Sequence, residues 1–297
     1  MKLDTYVALL GRGPGRSRSL TRAEARAAME IMLSGSADPE AVGAILMLMR
    51  MKGETADEIA GFAEAAQAHL SAPVIADLDW PSYAAGRTRG APWFLHAARQ
   101  VADSGARVLL HGWNGKDDSV RDGARALGIP LCGSITEAGA ALDTHRIAYL
   151  MLENAHPSLF ALLQLREVLG LRSCVNTVCR MLNPGRAKAS VQGVFHPSYR
   201  LLQADAAHLL GWQALSVIKG GGGEFERHPG KQVDAFGLRR GQPWQDRLPA
   251  LSEDTSRLQD HAGPLVPVPS GFAQDVIAGT TSLALETLAA GAPGSEA

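Results

Sequence analysis

Cysteine is scarce in this 297-residue chain, with only Cys132, Cys174 and Cys179 present. Three is an odd and sparse set that excludes a disulfide framework, and no Cys-x-x-Cys pair suggests zinc, so the thiols read as reduced and mostly buried. Long hydrophobic runs are also missing. None approaches the ~18 residues a membrane span requires, and the best stretch, 41–49, is bounded by charge. The start, Met1-Lys2-Leu3-Asp4, has no apolar core followed by a small-residue cleavage site, so the expectation is a cytoplasmic protein without membrane contact. Aromatic residues make up 5% of the chain, and lysine accounts for only 6 of the 29 basic residues, the other 23 being arginine. Arginine is the better bidentate phosphate ligand and stacks on bases, but a GC-rich genome would give the same excess. Composition alone leaves both open.

What is present is a chain able to bury a core. With 46% hydrophobic residues, 20% charged and a net charge of -1, disorder is excluded. The first seventy residues read as helices only. Thr21-Arg22-Ala23-Glu24 and Thr55-Ala56-Asp57-Glu58 are capping boxes, Asp38-Pro39 is a helix start, and Gly35 and Gly53 are stops. Ile59, Phe62, Ala63, Ala66 and Leu70 recur at helical spacing. Three short amphipathic helices therefore form one module, residues 1–72.

After Ser71-Ala72-Pro73 short β-like runs at 107–112, 147–152, 191–195 and 215–218 alternate with helical candidates at 93–103, 119–127, 136–142, 158–169 and 199–210. That alternation predicts, over 73–297, an α/β domain with a mostly parallel sheet flanked by helices. Segment 237–269 is polar and proline-bearing and reads as irregular, 273–288 as a final helix, and 291–297 as frayed.

The motifs, taken together, resemble a known family. Thr21-Arg22-Ala23-Glu24-Ala25, the run from Ile45 to Arg50, and Gly53-Glu54-Thr55-Ala56-Asp57-Glu58 look like the helical domain of the anthranilate phosphoribosyltransferases and pyrimidine nucleoside phosphorylases, glycosyl transferase family 3. Glu153-Asn154-Ala155-His156-Pro157, Leu165-Arg166-Glu167-Val168-Leu169-Gly170, Asn176, Leu182-Asn183-Pro184 and Val191-Gln192-Gly193-Val194 are similar to further family segments. The resemblance implies a homodimer joined through its helical domains, and a phosphoribosyltransferase-like α/β domain that holds phosphoribosyl pyrophosphate and magnesium. Such chemistry needs backbone amides around a dense anion and carboxylates for the metal.

Where the family keeps its glycine-rich phosphate loop, this chain reads Asp77-Leu78-Asp79-Trp80-Pro81-Ser82-Tyr83-Ala84-Ala85-Gly86-Arg87-Thr88-Arg89. Tryptophan, proline and tyrosine add bulk and remove a donor where glycine would let a phosphate approach. The acidic magnesium pair aligns with Lys219-Gly220-Gly221-Gly222-Gly223-Glu224-Phe225-Glu226, so one carboxylate is phenylalanine. These departures resemble the YbiB-type branch of the family, which implies sequence-independent binding of DNA or RNA.

The expected nucleic-acid or phosphate-binding residues are therefore Arg87, Arg89, Arg180, Arg186, Lys188, Lys219 and Gly220 to Gly223, with Gly221 and Gly222 between them, and Trp80 and Tyr83 as aromatic faces. Trp113 and Phe225 are interleaved with them, and Arg12, Arg16, Arg18, Arg22 and Arg26 form a second basic cluster or a solvated face. Core burial is an equal reading of Trp80, and a hinge is the other reading of the glycine run. The alternative is a divergent phosphoribosyl or glycosyl transferase, with His111, Asn176, Arg166 and His156 at the substrate. Arg166 reads equally as a salt-bridge partner, and His156 as a positioned loop residue. Magnesium on Glu224 and Glu226 belongs to that alternative; nucleic-acid binding requires no cofactor.

Overall fold

The computed structural model describes residues 2–70, 74–84, 90–261, 265–268 and 271–292. The chain divides into two compact units. The helical unit is Met1–Ser71 together with Leu152–Leu182, so it is discontinuous, unlike the single division at residue 72 expected from sequence. Both capping boxes form, at the helices Arg22–Leu33 and Ala56–Ala68. Each threonine hydroxyl accepts from the amide three residues on, while the glutamate accepts from the threonine amide. Glu58 does more than cap. Fully buried, it also accepts from the Leu20 amide at 2.9 Å and pairs with Lys52 at 3.1 Å, joining the start of one helix to the end of another.

His156 plays a corresponding part in the returning segment. Its Nδ1 accepts from the Leu159 amide at 3.2 Å and caps the helix Pro157–Leu169, while its Nε2–H donates to the Ala66 carbonyl at 3.0 Å. Both ring nitrogens are used in the neutral form, and burial pushes the pKa down to about 4. An unfolded histidine titrates near 6.5, so below that pH the unfolded chain takes up a proton that the folded one refuses. Stability is therefore expected to fall by about 2 kcal/mol between pH 7 and pH 5 through this group alone. Urea midpoints of wild type and His156→Gln at the two pH values check this: the variant should lose that part of the pH dependence, and identical slopes would refute it.

Among the described residues the second unit, Ala72–Met151 with Asn183–Ala297, holds an eight-stranded sheet. Its strands are β1 (Leu78–Ser82), β2 (Val108–Gly112), β3 (Leu131–Cys132), β4 (Ile147–Met151), β5 (Ala189–Val194), β6 (Ala214–Lys219), β7 (Val233–Arg239) and β8 (Gln242–Leu248). The order is β3-β4-β2-β1-β5-β6-β7-β8, parallel from β3 to β6 and antiparallel in the last two pairings. The β7–β8 hairpin corrects the irregular reading of 237–269. β8, with Gln242, Pro243, Gln245, Asp246 and Arg247 exposed, is an edge strand that looks like loop in sequence.

Helices Phe94–Asp103 and Phe272–Gly291 pack on the sheet and bury Phe94, Val101, Leu283 and Ala284 against Leu78, Trp80, Val108 and Val191. The three cysteines are free and buried, and burial raises their thiol pKa values, that of Cys132 to about 11. No helix among the described residues is long and apolar enough to cross a membrane.

Candidate functional site

The carboxyl ends of β1, β2, β5 and β6 converge on the region where a parallel α/β sheet ordinarily places its ligands. Its centre is filled by the chain's own side chains. Trp80 is fully buried, edge-on to Phe225 at 5.4 Å between ring centroids and stacked on Phe94 at 6.4 Å. Tyr83, equally buried, shares a hydrogen bond of 2.8 Å with His111 Nδ1. His111 Nε2 lies 3.1 Å from Asp79 Oδ1, and the Ser190 hydroxyl donates to Asp79 Oδ2 at 2.7 Å. Beside this set, Tyr149 donates to Asn114, whose amide donates to Ser82 Oγ at 3.1 Å.

The loop after β6 closes the same region. Gly220 donates to the Val194 carbonyl at 3.1 Å, and the chain turns through Gly222 at φ +66° and Gly223 at φ +92°, values that glycine adopts without strain. It then sends Glu224, Phe225 and Glu226 inward, all buried. Glu224 Oε1 accepts from the Ala84 amide at 3.0 Å and from Asn114 at 3.5 Å, and Glu226 Oε1 accepts from the Phe94 amide at 3.1 Å. The two carboxylates thus anchor the backbone at Ala84 and at Phe94.

Several sequence expectations change accordingly. Trp80 and Tyr83 offer no face to a base, and His111 no edge to a substrate, because none has appreciable exposed surface. Glu224 and Glu226 each accept from a backbone amide through Oε1, and no group of three or more His, Cys, Asp or Glu among the described residues is placed to hold a metal ion. His156 is a helix cap. Arg180 is buried in the helical unit, where Arg166 is exposed and Asn176 half-buried. Within the second basic cluster Arg18 pairs with Glu24, Arg22 with Glu64 and Arg26 with Glu30, which neutralises most of that face. Arg87 and Arg89 lie outside the described residues.

Of the cations selected from sequence, those that are exposed in the α/β unit fall at opposite ends of the sheet. Arg186 and Lys188 precede β5 and border a cavity of about 530 Å³ with Asp77 and Ser104. Lys219 ends β6, which runs parallel to β5, so about 17 Å of strand separates the two groups. They do not form one patch.

Lys219 instead borders an open cleft of about 520 Å³ beside Gly220, Gly221 and Gly222. Arg200, Lys231 and Arg257 also line it, against the carboxylates of Glu226 and Asp234. Glu226 is committed to the Phe94 amide, and Asp234 pairs with Arg247 at 3.0 Å and Arg200 at 3.7 Å. Lys219, exposed, makes no ion pair with any described residue. His228, at the cleft wall, donates from Nε2 to the Ser256 carbonyl and accepts from the Gly230 amide; burial lowers its pKa, which favours the neutral ring. Arg200 is fixed over the Phe236 ring, 4.7 Å from its centroid, and donates to the Asp234 carbonyl. The cleft presents a net positive field, with the Lys219 ammonium at its mouth. Sequence reading found Lys219 and the glycines but missed Lys231 and Arg257, which sit in stretches without periodicity.

Comparison with known proteins agrees with both units. Residues 6–70 match the glycosyl transferase family helical bundle domain. The chain is 29% identical over 229 residues to the anthranilate phosphoribosyltransferase of Bacillus caldotenax, covering 75% of this chain and 94% of the relative. To that of Symbiobacterium thermophilum it is 33% identical over 217 residues, covering 70% and 63%. The anthranilate phosphoribosyltransferase structure from Thermus thermophilus superposes with a TM-score of 0.77 at 21% identity, covering 98% of this chain and 95% of the other. The Saccharomyces cerevisiae enzyme in complex with PRPP and Mg gives 0.74 at 18% identity, covering 98% and 89%.

Proposed function

Starting from a chain that belongs to glycosyl transferase family 3, the family of the anthranilate phosphoribosyltransferases, we propose that it is a YbiB-type member that binds single-stranded nucleic acid without base readout. The observation that carries this reading is the pairing of a self-filled centre with an open basic cleft. Trp80 and Tyr83 stand where the family resemblance puts a phosphate loop and Phe225 where it puts a metal carboxylate, while Lys219 opens onto a cleft with Arg200, Lys231 and Arg257. A phosphate backbone is the polyanion such a cleft suits, because it supplies evenly spaced charge and demands no metal. The resemblance adds a homodimer to the proposal.

Fluorescence anisotropy with a labelled thymidine oligonucleotide tests it. Binding is expected at low salt, with log K falling against log salt by about 0.7 for each phosphate neutralised. No binding below ~10 μM at low salt would refute it, since that range is already reached by non-specific binders.

Sequence similarity favours a second reading. The curated relatives are named as anthranilate phosphoribosyltransferases, and a divergent phosphoribosyl or glycosyl transfer would use Lys219 for the phosphates, with Arg166 and Asn176 as further candidates. Magnesium in that reading would enter with the substrate's phosphates, since Glu224 and Glu226 already accept from backbone amides through Oε1. Calorimetry with phosphoribosyl pyrophosphate and magnesium separates the two: heat of binding at millimolar ligand supports transfer, and silence there with oligonucleotide binding intact supports the first reading.

A further inference from the structure

We infer that the cavity at the amino-terminal end of the sheet binds a nucleoside monophosphate, its phosphate on Arg186 and Lys188 and its base against Ile75. This site lies at the other end of the sheet from the Lys219 cleft and does not depend on the nucleic-acid reading.

Three neighbouring strands supply its walls. Leu78 of β1 is in register with Val108 of β2 and with Ala189 of β5, so the residues leading into these strands emerge side by side, about 4.8 Å apart. Ile75 and Asp77 precede β1, Ser104 precedes β2, and Arg186 and Lys188 precede β5, while Leu288 of the helix Phe272–Gly291 adds to the lining.

The two cations are uncommitted. Arg186 and Lys188 are exposed and make no side-chain hydrogen bond or ion pair with any described residue, although Asp77 borders the same cavity. The backbone that carries them is clamped. Buried Asn183 donates from Nδ2 to the Ala187 carbonyl at 2.9 Å and accepts from the Ala187 amide at 2.8 Å, the Gly185 carbonyl accepts from Ala76 at 2.9 Å, and the Lys188 carbonyl accepts from Ala214 at 3.0 Å. Arg186 itself stands at φ +47°, which glycine adopts freely and arginine only at a cost. Strain of this kind clusters at ligand clamps.

The lining selects the ligand. A carboxylate would match Arg186 alone, whereas a phosphate monoester, with a charge of about −1.5 to −2, matches both cations. Asp77 and Ser104 are acceptors. The carboxylate already takes the Arg107 amide through Oδ2, and the Ser104 hydroxyl gives its proton to the Val101 carbonyl, so both suit hydroxyl donors such as those of a ribose. Ile75, 66% exposed, and Leu288 form an apolar wall that a base covers and a bare sugar phosphate leaves to water. The cations also complement the dipole at the carboxyl end of the helix Phe272–Gly291, a role that by itself brings no ligand.

Titration calorimetry on the full chain with adenosine monophosphate, adenosine and inorganic phosphate tests the site. The monophosphate is expected to bind with a Kd below about 1 mM, and adenosine not to bind. Arg186→Gly should weaken the monophosphate about 10-fold or more without lowering the melting temperature, because glycine relaxes the left-handed backbone while the charged hydrogen bonds are lost. Lys188→Ala should weaken it about as much. Ile75→Ser should bring the monophosphate down to the affinity of inorganic phosphate. Circular dichroism melts confirm that each variant is folded. Wild type that does not bind the monophosphate overturns the proposal and leaves the cations to the helix dipole, as does binding undiminished in both Arg186→Gly and Lys188→Ala. A loss with Lys219→Ala in their place would overturn it too, moving the ligand to the opposite end of the sheet. Oligonucleotide binding by Arg186→Gly should match wild type; a parallel loss would make the cavity part of a strand-binding surface and overturn a separate site.

Discussion

Replacing Gly193 by alanine is expected to destabilise the α/β unit by about 3 kcal/mol or more, lowering its melting temperature by roughly 6–12 °C. Gly193 lies in β5, fully enclosed, and a Cβ there would stand 2.0 Å from the Glu224 carbonyl carbon, 2.1 Å from its oxygen and 2.5 Å from the Phe225 nitrogen. All three atoms are backbone, so no side chain can rotate aside. Either β5 leaves its register with β1 and β6, or the loop after β6 moves outward. Outward movement would draw Glu224 from the Ala84 amide and Glu226 from the Phe94 amide, exposing buried donors. Oligonucleotide binding should fall with stability, since the same loop carries the glycines beside Lys219. Thermal unfolding followed by circular dichroism checks this, and a melting temperature within about 2 °C of wild type would show that the loop accommodates the methyl group cheaply.

Gly193 also shows where sequence reading stops. Local chemistry was legible: the threonine and glutamate of each capping box lie three residues apart, and both boxes form. The alternation of short apolar runs with helical ones placed β2, β4, β5 and β6 and most of the helices between them. β1 was harder, because Trp80-Pro81-Ser82 has a proline and sits among charged residues, yet every one of its five positions is buried between β2 and β5. The return of 152–182 to the helical unit depends on packing between segments far apart in the chain, and no local pattern encodes it.

The site followed the same rule. Trp80 and Tyr83 stand near arginines in sequence, which suggests a stacking surface, but the phenylalanines that cover Trp80 come from residues 94 and 225. Glu224 and Glu226 look like half of a metal pair because their partners are amides 140 and 132 residues away. Arginine abundance likewise overstates the binding surface. Of the cations selected from sequence, Arg180 is buried and Arg186 lies at the far end of the sheet, whereas Lys219, one of only six lysines, lines the cleft.

Glu224→Ala should cost about 3 kcal/mol or more, comparable to the glycine substitution but through a different physical route. Glu224 has no exposed surface, and its Oε1 satisfies the Ala84 amide and an Asn114 amide hydrogen. Truncation leaves these donors facing one another across a cavity, and each buried unsatisfied donor costs ~1–3 kcal/mol. Glu224→Gln keeps an oxygen for the Ala84 amide and should lose clearly less. The pair of variants separates this structural role from metal binding. A carboxylate that held magnesium would make wild-type melting rise with added magnesium, because a ligand that binds only the folded state stabilises it, and glutamine would abolish the rise. With the carboxylate engaged by backbone amides, about 10 mM magnesium should leave both melting curves in place. A magnesium-dependent rise present in wild type and absent in Glu224→Gln would overturn the amide-binding role and restore the transferase reading of this loop.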